Sequence, residues 1–595
     1  MIHKDNGAQG TTNRRVAMFN GKRLSGWMAL AVFATVGGAM VAADPAFAKV
    51  DVDKLTIGGE IRERYEFRTN ATFNAGQGRF GTAPFASTGG AVKSQKGNES
   101  LASHRVRVNV GYDLTPDVSF FVQIADARAW GSEGFSTANF GSSGAQTVSQ
   151  TNSQLTGVDL HQAHITLRNV LVPGLSLKAG RQEIIFGDHR LFGNFGWSQV
   201  GNSFDAVRLT HSTQMADVDL FWARIIDNAA VGFQNSNNNI PFPAAAGAQG
   251  NAQTGATQAT GNQDIYGLYI TLKPVKNWTI EPYWFLLQDA RATQVNATAA
   301  VGGASFATTP TFSSILQAQA PSQTRNTLGA RLNGKQGGLD FTYEGVYQFG
   351  SITSQCQRSK TRATCGSYDG GNIAIPLGSV QGTRDSHINA NAHAVRTGFT
   401  FDAVPMKPRL GFEFDYASGD KCANGPNGGV NSQCNGATHF NTFDNLYPTN
   451  HFHYGYMDLM AWKNMVNYQA NFAVNPSPAS KLQFNFIWHR LANTQDNWYR
   501  AGQATYFTSK FTNQAASLGR ELDIHYWHTF KEKFKFELGY GHFWAGEYLT
   551  KSASGSSITG EGGFANSQGS FSNGFGNGTQ ITGQNWGYVM GSILF

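Results

Sequence analysis

The feature of this chain that most restricts its fold is the alternation of short and long connections between segments of alternating hydrophobicity. The short connections are rich in Pro, Gly, Asp and Asn, and they lie at residues 115–117, 274–277, 334–337 and 475–478. The long connections are rich in Gly, Asn, Ser and Ala, and they lie at residues 69–103, 131–157, 228–262, 350–386, 419–462 and 547–583. Outer-membrane β-barrels have this asymmetry, because their periplasmic turns are short and their extracellular loops are long.

The segments themselves alternate with a period of two residues, which is typical of strands in a barrel wall. In the first segment, Ile57, Ile61 and Tyr65 alternate with Arg62 and Arg64. A basic residue on the lipid face near the membrane midplane would cost roughly 2–4 kcal/mol, and this cost selects the register. The pattern predicts an all-β fold, a transmembrane antiparallel β-barrel of about 18 strands in the outer-membrane lipid of a Gram-negative bacterium.

Both ends of the chain agree with this location. Residues 1–48 have the form of a cleaved signal peptide, in which basic residues precede the apolar stretch 24–41 and Ala46-Phe47-Ala48 has the small-x-small pattern of a cleavage site. The barrel is therefore predicted to comprise residues 49–595, with Met18 as an alternative start of translation. Phe595 ends an amphipathic last segment, which predicts recognition by the barrel-assembly machinery.

Charge and cysteine content restrict the partners. Removing residues 1–48 takes away five basic and two acidic residues, so the formal charge falls from +7 to +4, which is too mild to predict a nucleic-acid partner. The four cysteines form two local pairs inside long connections, Cys356 with Cys365 and Cys422 with Cys434. In an oxidising compartment they predict two loop disulfides, with metal binding as the weaker alternative.

The positions predicted to face the lumen carry many arginines. Neighbouring Arg62, Arg64, Arg105 and Arg107 on the first two strands predict one electropositive wall. Other predicted lumen residues are Arg331, Arg409, Glu413 and Asp415. Guanidinium groups stay charged and bind carboxylates in a bidentate fork, so several of them would give an acidic polymer successive weak sites. The alternative is that lumen charges pair with one another and rigidify the wall.

Two segments do not fit the simple alternation. Leu177 and Ala179 face outward, which would leave Arg181 toward lipid unless a bulge or the end of the strand turns it. Asp126 and Arg128 likewise need a slip in register before they can face the lumen.

Several motifs connect the chain to a known family. The segment 177–191 reads LKAGRQEIIFGDHRL, and Trp197 and the sequence SFDAVRL at 203–209 follow it. Together with RLGFEFDYASGD at 409–420 and GRELD at 519–523, it resembles the alginate export family of outer-membrane barrels. The resemblance implies a monomeric barrel through which an anionic exopolysaccharide leaves the periplasm by an arginine-lined pore, with a tetratricopeptide-type periplasmic scaffold as partner. The matched positions that it places near the constriction are Arg181, Asp188, Arg190, Asp205 and Arg208.

The leading function is therefore passive passage of acidic polysaccharide or related anionic solutes. The alternative is an uptake porin for small organic anions or other small solutes. Enzymatic activity is not expected, because the chain lacks the GxSxG and HExxH motifs. His451 and His453 could ligate a metal, but a solvated loop is the expectation, and neither a metal site nor a cofactor is predicted. The sequence leaves open whether loops fold inward as a plug.

Overall fold

The fold is taken from a computed structural model of the chain, in which residues Lys54–Phe595 form one compact unit. The structure describes residues 51–69, 99–130, 158–226, 258–260, 262–290, 292–296, 317–318, 323–358, 363–366, 372–375, 383–421, 439–503, 505–507, 515–549, 565–566, 569–570 and 583–595.

Within these residues, eighteen antiparallel strands form the wall, and each pairs with the next along the chain. The strands are β1 (Leu55–Thr69), β2 (Glu99–Thr115), β3 (Val118–Ala129), β4 (Asp159–Leu167), β5 (Leu175–Gln182), β6 (Phe204–Ser212), β7 (Ala216–Ile226), β8 (Gln263–Val275), β9 (Trp278–Asp289), β10 (Gln323–Gln336), β11 (Leu339–Arg358), β12 (Thr383–Thr400), β13 (Arg409–Ala417), β14 (Met465–Ser477), β15 (Ser480–Leu491), β16 (Ser517–Phe530), β17 (Phe534–Ala545) and β18 (Gln584–Leu594). The wall closes where β1 pairs with β18, from Glu60 opposite Leu594 to Thr69 opposite Asn585. The predicted fold class is confirmed.

Exposed apolar and buried charged side chains alternate along β1, as the sequence predicts. Ile57 and Tyr65 are 62% and 49% exposed, whereas Arg62 and Arg64 are 4% and 6% exposed. Successive residues of a strand point to opposite faces of the sheet. Along β1, the wall therefore presents mainly apolar side chains outward and polar side chains inward.

The connections at the two ends of the wall differ as predicted. Short turns join β2 to β3, β8 to β9, β10 to β11 and β14 to β15. Asn277 and Gly337 in these turns have φ angles of 66° and 58°. Gly reaches this region at no steric cost, and Asn is one of the few other residues that tolerate it. Among the described residues, no helix is both long and apolar enough to cross a membrane.

Short strands also lie outside the wall. They are Gln258–Thr260, Ala292–Asn296, Gln317–Ala318, Ala363–Gly366, Asn372–Ile375, His439–Phe440, Trp498–Tyr499, Thr505–Phe507, Ala565–Asn566 and Gly569–Ser570. Cys356 of β11 lies directly opposite Cys365 of one of them. Cα atoms of such partners are about 4.5–5.5 Å apart, which suits a disulfide, but the bond itself stays a prediction. Cys422 and Cys434 lie outside the described residues.

Two long connections fold into the barrel instead of away from it. They follow unusually short strands, because β5 and β13 have eight and nine residues, whereas β1 has fifteen. We call residues 183–203, between β5 and β6, the first inward segment. Residues 439–464, before β14, are the second inward segment. A parallel β-bridge between Phe192 and Tyr447 joins the two.

An apolar core forms inside the barrel where the inward segments meet the wall. Phe192, Phe443, Trp462 and Trp498 are fully buried, and the ring of Phe192 lies 4.9 Å from that of Phe285 on β9. A barrel of this size would otherwise leave an aqueous lumen. The inward segments therefore plug part of the lumen, a point on which the sequence makes no prediction.

The carboxyl terminus completes the closing seam. The backbone N–H of Gly59 donates to the carbonyl oxygen of Phe595 at 2.8 Å, and the N–H of Phe595 donates to the carbonyl oxygen of Gly59 at 3.2 Å. These bonds extend the β1–β18 ladder by one residue beyond the last strand. The predicted role of Phe595 in recognition by the assembly machinery stays a prediction.

Candidate functional site

The first inward segment crosses the lumen in a sharp turn and then returns. Gly187 and His189 have φ angles of 52° and 63°, a region that Gly enters without a Cβ clash. The turn brings Asp188 and Arg190 against β10, β12 and β13, on the far side of the barrel. The following residues, 196–200, return to β1 and β2.

The four arginines predicted to form an electropositive wall are neighbours on the inner face. Arg62 lies directly opposite Arg105 in the β1–β2 register, and Arg64 and Arg107 each lie two residues along their strands. All four are at most 7% exposed. We call these four residues the arginine cluster.

The arginine cluster binds the backbone of the first inward segment. Arg62 donates to the carbonyl oxygens of Gly196 and Ser198, each at 2.8 Å. It also donates to the side-chain oxygen of Gln199 at 2.6 and 2.8 Å, and the amide of Gln199 donates to Ser103 at 2.9 Å. One guanidinium group therefore holds four consecutive residues of the segment, since the carbonyl oxygen of Trp197 also accepts from it at 3.1 Å.

The other arginines continue this pattern. Arg64 donates to the carbonyl oxygen of Trp197 at 2.6 Å, Arg105 to that of Ser198 at 2.9 Å, and Arg107 to that of Val200 at 2.8 Å. Carboxylates neutralise part of the cluster, and the pairs are Arg64–Glu66, Arg105–Glu60 and Arg107–Glu183. Carbonyl oxygens of residues 196–200 thus occupy guanidinium donors that could otherwise bind an anion.

Trp197 anchors the returning part of the segment between two charged or titratable groups. The guanidinium carbon of Arg64 lies 4.0 Å from the centre of its ring. The ring of His451, from the second inward segment, stacks on it at 4.1 Å with an interplanar angle of 13°. Arginine over tryptophan is a cation–π contact, which gains strength when it is removed from water.

Asp188 and Arg190 each form ion pairs with wall residues of the opposite charge. Asp188 accepts from Arg331 of β10 and from Arg396 of β12, both at 2.6 Å. Burial alone would raise the pKa of the Asp188 carboxyl, but the charges of Arg396 and Arg331 outweigh it and lower this pKa to about 2. Asp188 is therefore ionised at any physiological pH.

Arg190 binds the two carboxylates that the sequence places on β13. It donates to Glu413, to Asp415 at 2.9 Å, and to the hydroxyl oxygen of Tyr454 at 2.7 Å. Burial of the guanidinium group lowers its pKa, but the electrostatic interactions with Tyr454, Asp415 and Glu413 more than compensate and raise it. All four side chains are almost completely buried, so this group pins the first inward segment to the wall and to the second segment.

His453 links the two charge groups. Its Nε2 donates to the carbonyl oxygen of Asp188 at 2.7 Å. Burial, followed by the nearby charge of Arg190, lowers the pKa of His453 to about 4. The ring is therefore neutral at neutral pH and acts as a hydrogen-bond donor, not as a charge. In the described residues, no group of three or more His, Cys, Asp and Glu side chains has the arrangement of a metal site.

Other predicted lumen residues pair within the wall. Arg331 also binds Glu281 at 2.8 Å, and Arg409 binds Asp340 at 2.6 Å. Arg208 binds Asp219 at 2.8 Å. For these arginines the alternative that lumen charges pair with one another describes the observed contacts.

Arg181 and Asp205 differ from expectation, because they lie on the outer face. No bulge interrupts the β5–β6 register, in which Arg181 is directly opposite Asp205 at 3.2 Å. Phe204 and Ala206, on either side of Asp205, are buried in the interior. Asp126 and Arg128 also lie outside, and Arg128 binds Asp126 at 2.9 Å. The β2–β3 register is continuous here, and the shift between Gln123 and Ile124 in the β3–β4 register does not turn Asp126 and Arg128 inward. On the outer face, each of these charges is in an ion pair.

Sequence reasoning does not find the second inward segment. It assigns this stretch to a surface loop, although residues 443–462 are far richer in aromatic and aliphatic side chains than the Gly- and Ser-rich loops elsewhere. That composition is the signal that could have identified it. Two of its backbone N–H groups, those of Met457 and Tyr456, donate to the buried carboxylates of Glu521 and Asp523 on β16 at 2.9 and 3.2 Å.

The chain is similar in fold to several solved structures and matches one protein family in sequence. A search of curated protein sequences gives no match. Among solved structures, Acinetobacter baumannii OccAB1 is similar with a TM-score of 0.46 and 10% identity, over 93% of this chain and 99% of that one. The outer membrane protein OprD from Pseudomonas aeruginosa is similar with a TM-score of 0.44 and 9% identity, over 93% and 97%.

The family comparison is more specific. Residues 53–559 match the model of a family described as Alginate export. This match covers most of the closed antiparallel wall and both inward segments. The chain is therefore a β-barrel channel of the Gram-negative outer membrane and belongs to the Alginate export family.

Proposed function

We propose that this barrel is a passive conduit for an acidic polysaccharide, as in export of an alginate-like exopolysaccharide, or for related anionic solutes. The observation that carries the proposal is the arginine cluster, whose four guanidinium groups converge on a run of oxygen atoms at residues 196–200. These donors are arranged along a chain of acceptors rather than around one point. A polyuronate presents its carboxylates in the same way.

A carboxylate of the polymer can replace a carbonyl oxygen of residues 196–200 as the acceptor of hydrogen bonds from the arginine cluster. A carboxylate can accept two parallel hydrogen bonds from one guanidinium group and carries the opposite full charge, whereas a carbonyl oxygen is a neutral acceptor. A passing carboxylate can therefore compete with the carbonyl oxygens of residues 196–200 for Arg62 and Arg105. Several moderate sites in series favour movement, because each binds well enough to admit the polymer and weakly enough to release it.

Passage requires the first inward segment to move, because it occupies the space beside the arginine cluster. In the proposed cycle, residues 196–200 close the lumen at rest and leave the arginine cluster when polymer arrives. The ion pairs of Asp188 and Arg190 hold the remainder of the segment at the far wall. Only the returning half of the segment then needs to shift.

A second candidate is an uptake porin for small organic anions. The apolar core around Phe192 and Trp462 favours it, because a lumen narrowed at that level would pass small solutes more readily than a polymer. The two functions share the arginine cluster and differ in the width of the open path. In either case the chain is proposed to act as a monomer with no catalytic site.

The maturation of the chain is part of the same proposal. Residues 1–48 are removed as a signal peptide, the barrel-assembly machinery inserts residues 49–595, and Cys356–Cys365 and Cys422–Cys434 form disulfides in the oxidising compartment. A periplasmic scaffold would deliver the polymer if the substrate is one.

The test is single-channel conductance of the refolded barrel in a planar lipid bilayer, with and without polyuronate oligomers. We expect preference for anions over cations and a block that strengthens with oligomer length. Arg62→Gln and Arg107→Gln should each weaken the block by about tenfold to a hundredfold, since a hydrogen bond to a charged group contributes about 1.5–3 kcal/mol.

Arg128→Gln is the matched control, because this arginine is exposed on the outer face and pairs with Asp126 of its own strand. It should leave selectivity and block unchanged. A weakly selective pore that ignores polyuronates would reject the polymer conduit and support the small-solute porin.

A further inference from the structure

The outer face of the wall carries a row of alternating charges. Arg181 of β5 is directly opposite Asp205 of β6, Asp205 is opposite Arg224 of β7, and Arg224 is opposite Asp264 of β8. The closest nitrogen–oxygen distances are 3.2 Å for Arg181–Asp205 and 2.6 Å for Arg224–Asp264. We call these four residues the charge ladder.

The side chains of the charge ladder point away from the lumen. The side chain of Asp205 is 62% exposed, whereas its neighbours Phe204 and Ala206 are buried in the interior. Ala223, next to Arg224, is fully buried in the same interior. The charge ladder therefore has no part in the chemistry of the lumen, and its role is independent of the transported substrate.

All four residues lie at the same end of their strands. Asp205 and Asp264 are the second residues of β6 and β8, and Arg181 is the last but one of β5. Arg224 is two residues before the end of β7. This end leads to the long connections, which are extracellular in outer-membrane barrels.

The outer face changes character immediately below the charge ladder. The next outward positions toward the periplasmic end are Val207, Trp222 and Tyr266, and beyond these lie Leu220 and Leu268. The indole nitrogen of Trp222 donates to the ladder at Asp264. Trp and Tyr concentrate at membrane–water interfaces. The charge ladder thus lies where the apolar band of the wall ends.

The charges of the four ladder residues indicate which layer of the membrane they contact. A single basic residue in the hydrocarbon would cost roughly 2–4 kcal/mol, so four charged residues on the outer face require a polar environment. Both signs alternate along the row. That alternation complements a headgroup layer in which anionic phosphates are bridged by divalent cations, because arginine binds phosphate and carboxylates bind Mg²⁺ and Ca²⁺.

We propose that the charge ladder binds the phosphorylated headgroup of a glycolipid in the outer leaflet. Arg181 and Arg224 contact phosphate oxygens, and the exposed carboxylate of Asp205 between them holds a divalent cation that bridges to a second phosphate. The site fixes the level of the outer leaflet along strands β5 to β8. The wall extends less far along the barrel axis there, because β5 and β6 are short.

The probe is bisphosphorylated lipid A with Mg²⁺, added to the full refolded barrel in detergent, and the readout is the number of lipids retained in native mass spectrometry. We expect saturable retention of lipid A, and weaker retention of the same lipid after removal of its phosphates. Arg181→Gln combined with Arg224→Gln should lower affinity about a hundredfold or more, because two hydrogen bonds to charged groups are lost.

Asp205→Asn separates the cation from the phosphate contacts. Chelation of Mg²⁺ should weaken binding to the unchanged barrel and have little further effect on Asp205→Asn, which also serves if the double variant does not fold. Arg128→Gln is the control for an outer-face arginine outside the charge ladder.

Three results would overturn the proposal. Equal retention of dephosphorylated lipid would show that only the acyl chains bind. Equal affinity of the double variant would place the lipid elsewhere on the wall. Appearance of dimers that Arg181→Gln with Arg224→Gln abolishes, without bound lipid A, would assign the charge ladder to a second copy of the chain.

Discussion

At the scale of single residues, the inward segments depend on groups whose charge is set by burial. Asp188 keeps its negative charge because two arginines surround it, and His453 stays neutral because it is buried next to Arg190. Both groups bind fewer protons when the segments are docked than when they are released into water. Protonation therefore favours release of the segments in both cases.

This linkage predicts how channel opening depends on pH. The pKa of His453 is lowered from 6.5 to about 4, so its contribution to docking is complete above pH 6.5 and declines as the pH falls from 6.5 to 4. The pKa of Asp188 is lowered from 3.8 to about 2, so its contribution to docking is lost as the pH falls from 3.8 to 2. We expect constant conductance from about pH 8 to about 6.5, and rising conductance at lower pH.

His453→Gln provides the control in the same bilayer recording, because it keeps a donor and removes the titration. Its conductance should change little until the pH falls below 4, where Asp188 begins to lose its charge. A conductance that rises equally in both proteins between pH 6.5 and 4 would exclude His453 as the group responsible.

At the scale of elements, the strands can be predicted from the sequence, whereas the contacts that dock the inward segments cannot. The two-residue alternation along β1 and β2 is a local signal, so it assigns Arg62 and Arg107 to the inner face without knowledge of the fold. Docking of residues 196–200 on these arginines depends on contacts between residues more than 90 positions apart. No local pattern records such contacts. The alternation by itself leaves Arg181 on the outer face. The expectation that a bulge or the strand end turns it inward is wrong, since it leaves out the ion pair with Asp205 on the neighbouring strand.

Trp197 gives a test of the first inward segment as an element. Its ring lies between Arg64 and His451, so Trp197→Ala removes a cation–π contact and a stacking contact. Together these contribute roughly 1–3 kcal/mol. We expect conductance in the planar bilayer to rise, because the returning half of the segment leaves the arginine cluster more often.

Trp130→Ala is the matched control, since Trp130 is exposed and donates to His104 on the outer face. It should conduct like the unchanged barrel. Equal conductance of all three proteins would show that residues 196–200 do not limit the open path.

At the scale of the whole molecule, ion pairs that cross the lumen tie both inward segments to the wall. Arg190 joins the first segment to β13 through Glu413 and Asp415 and to the second segment through Tyr454. Removing one partner of a buried ion pair costs about 3–5 kcal/mol, because the other charge stays buried without compensation. An exposed pair contributes about 0–1 kcal/mol. Removing one partner of this buried group should therefore cost more stability than removing one partner of an exposed ion pair.

We therefore expect Arg190→Met to lower the free energy of unfolding of the barrel by about 3–5 kcal/mol, measured by urea titration in lipid vesicles. Adding Glu413→Gln and Asp415→Asn should restore most of the loss, because the uncompensated charges are then gone. Arg409→Gln is the control: its pair with Asp340 is about a quarter exposed, so the loss should stay below about 1 kcal/mol. If Arg190→Met costs no more than this control, the inward segments are held by their apolar core alone, and the charges that cross the lumen remain available to a substrate.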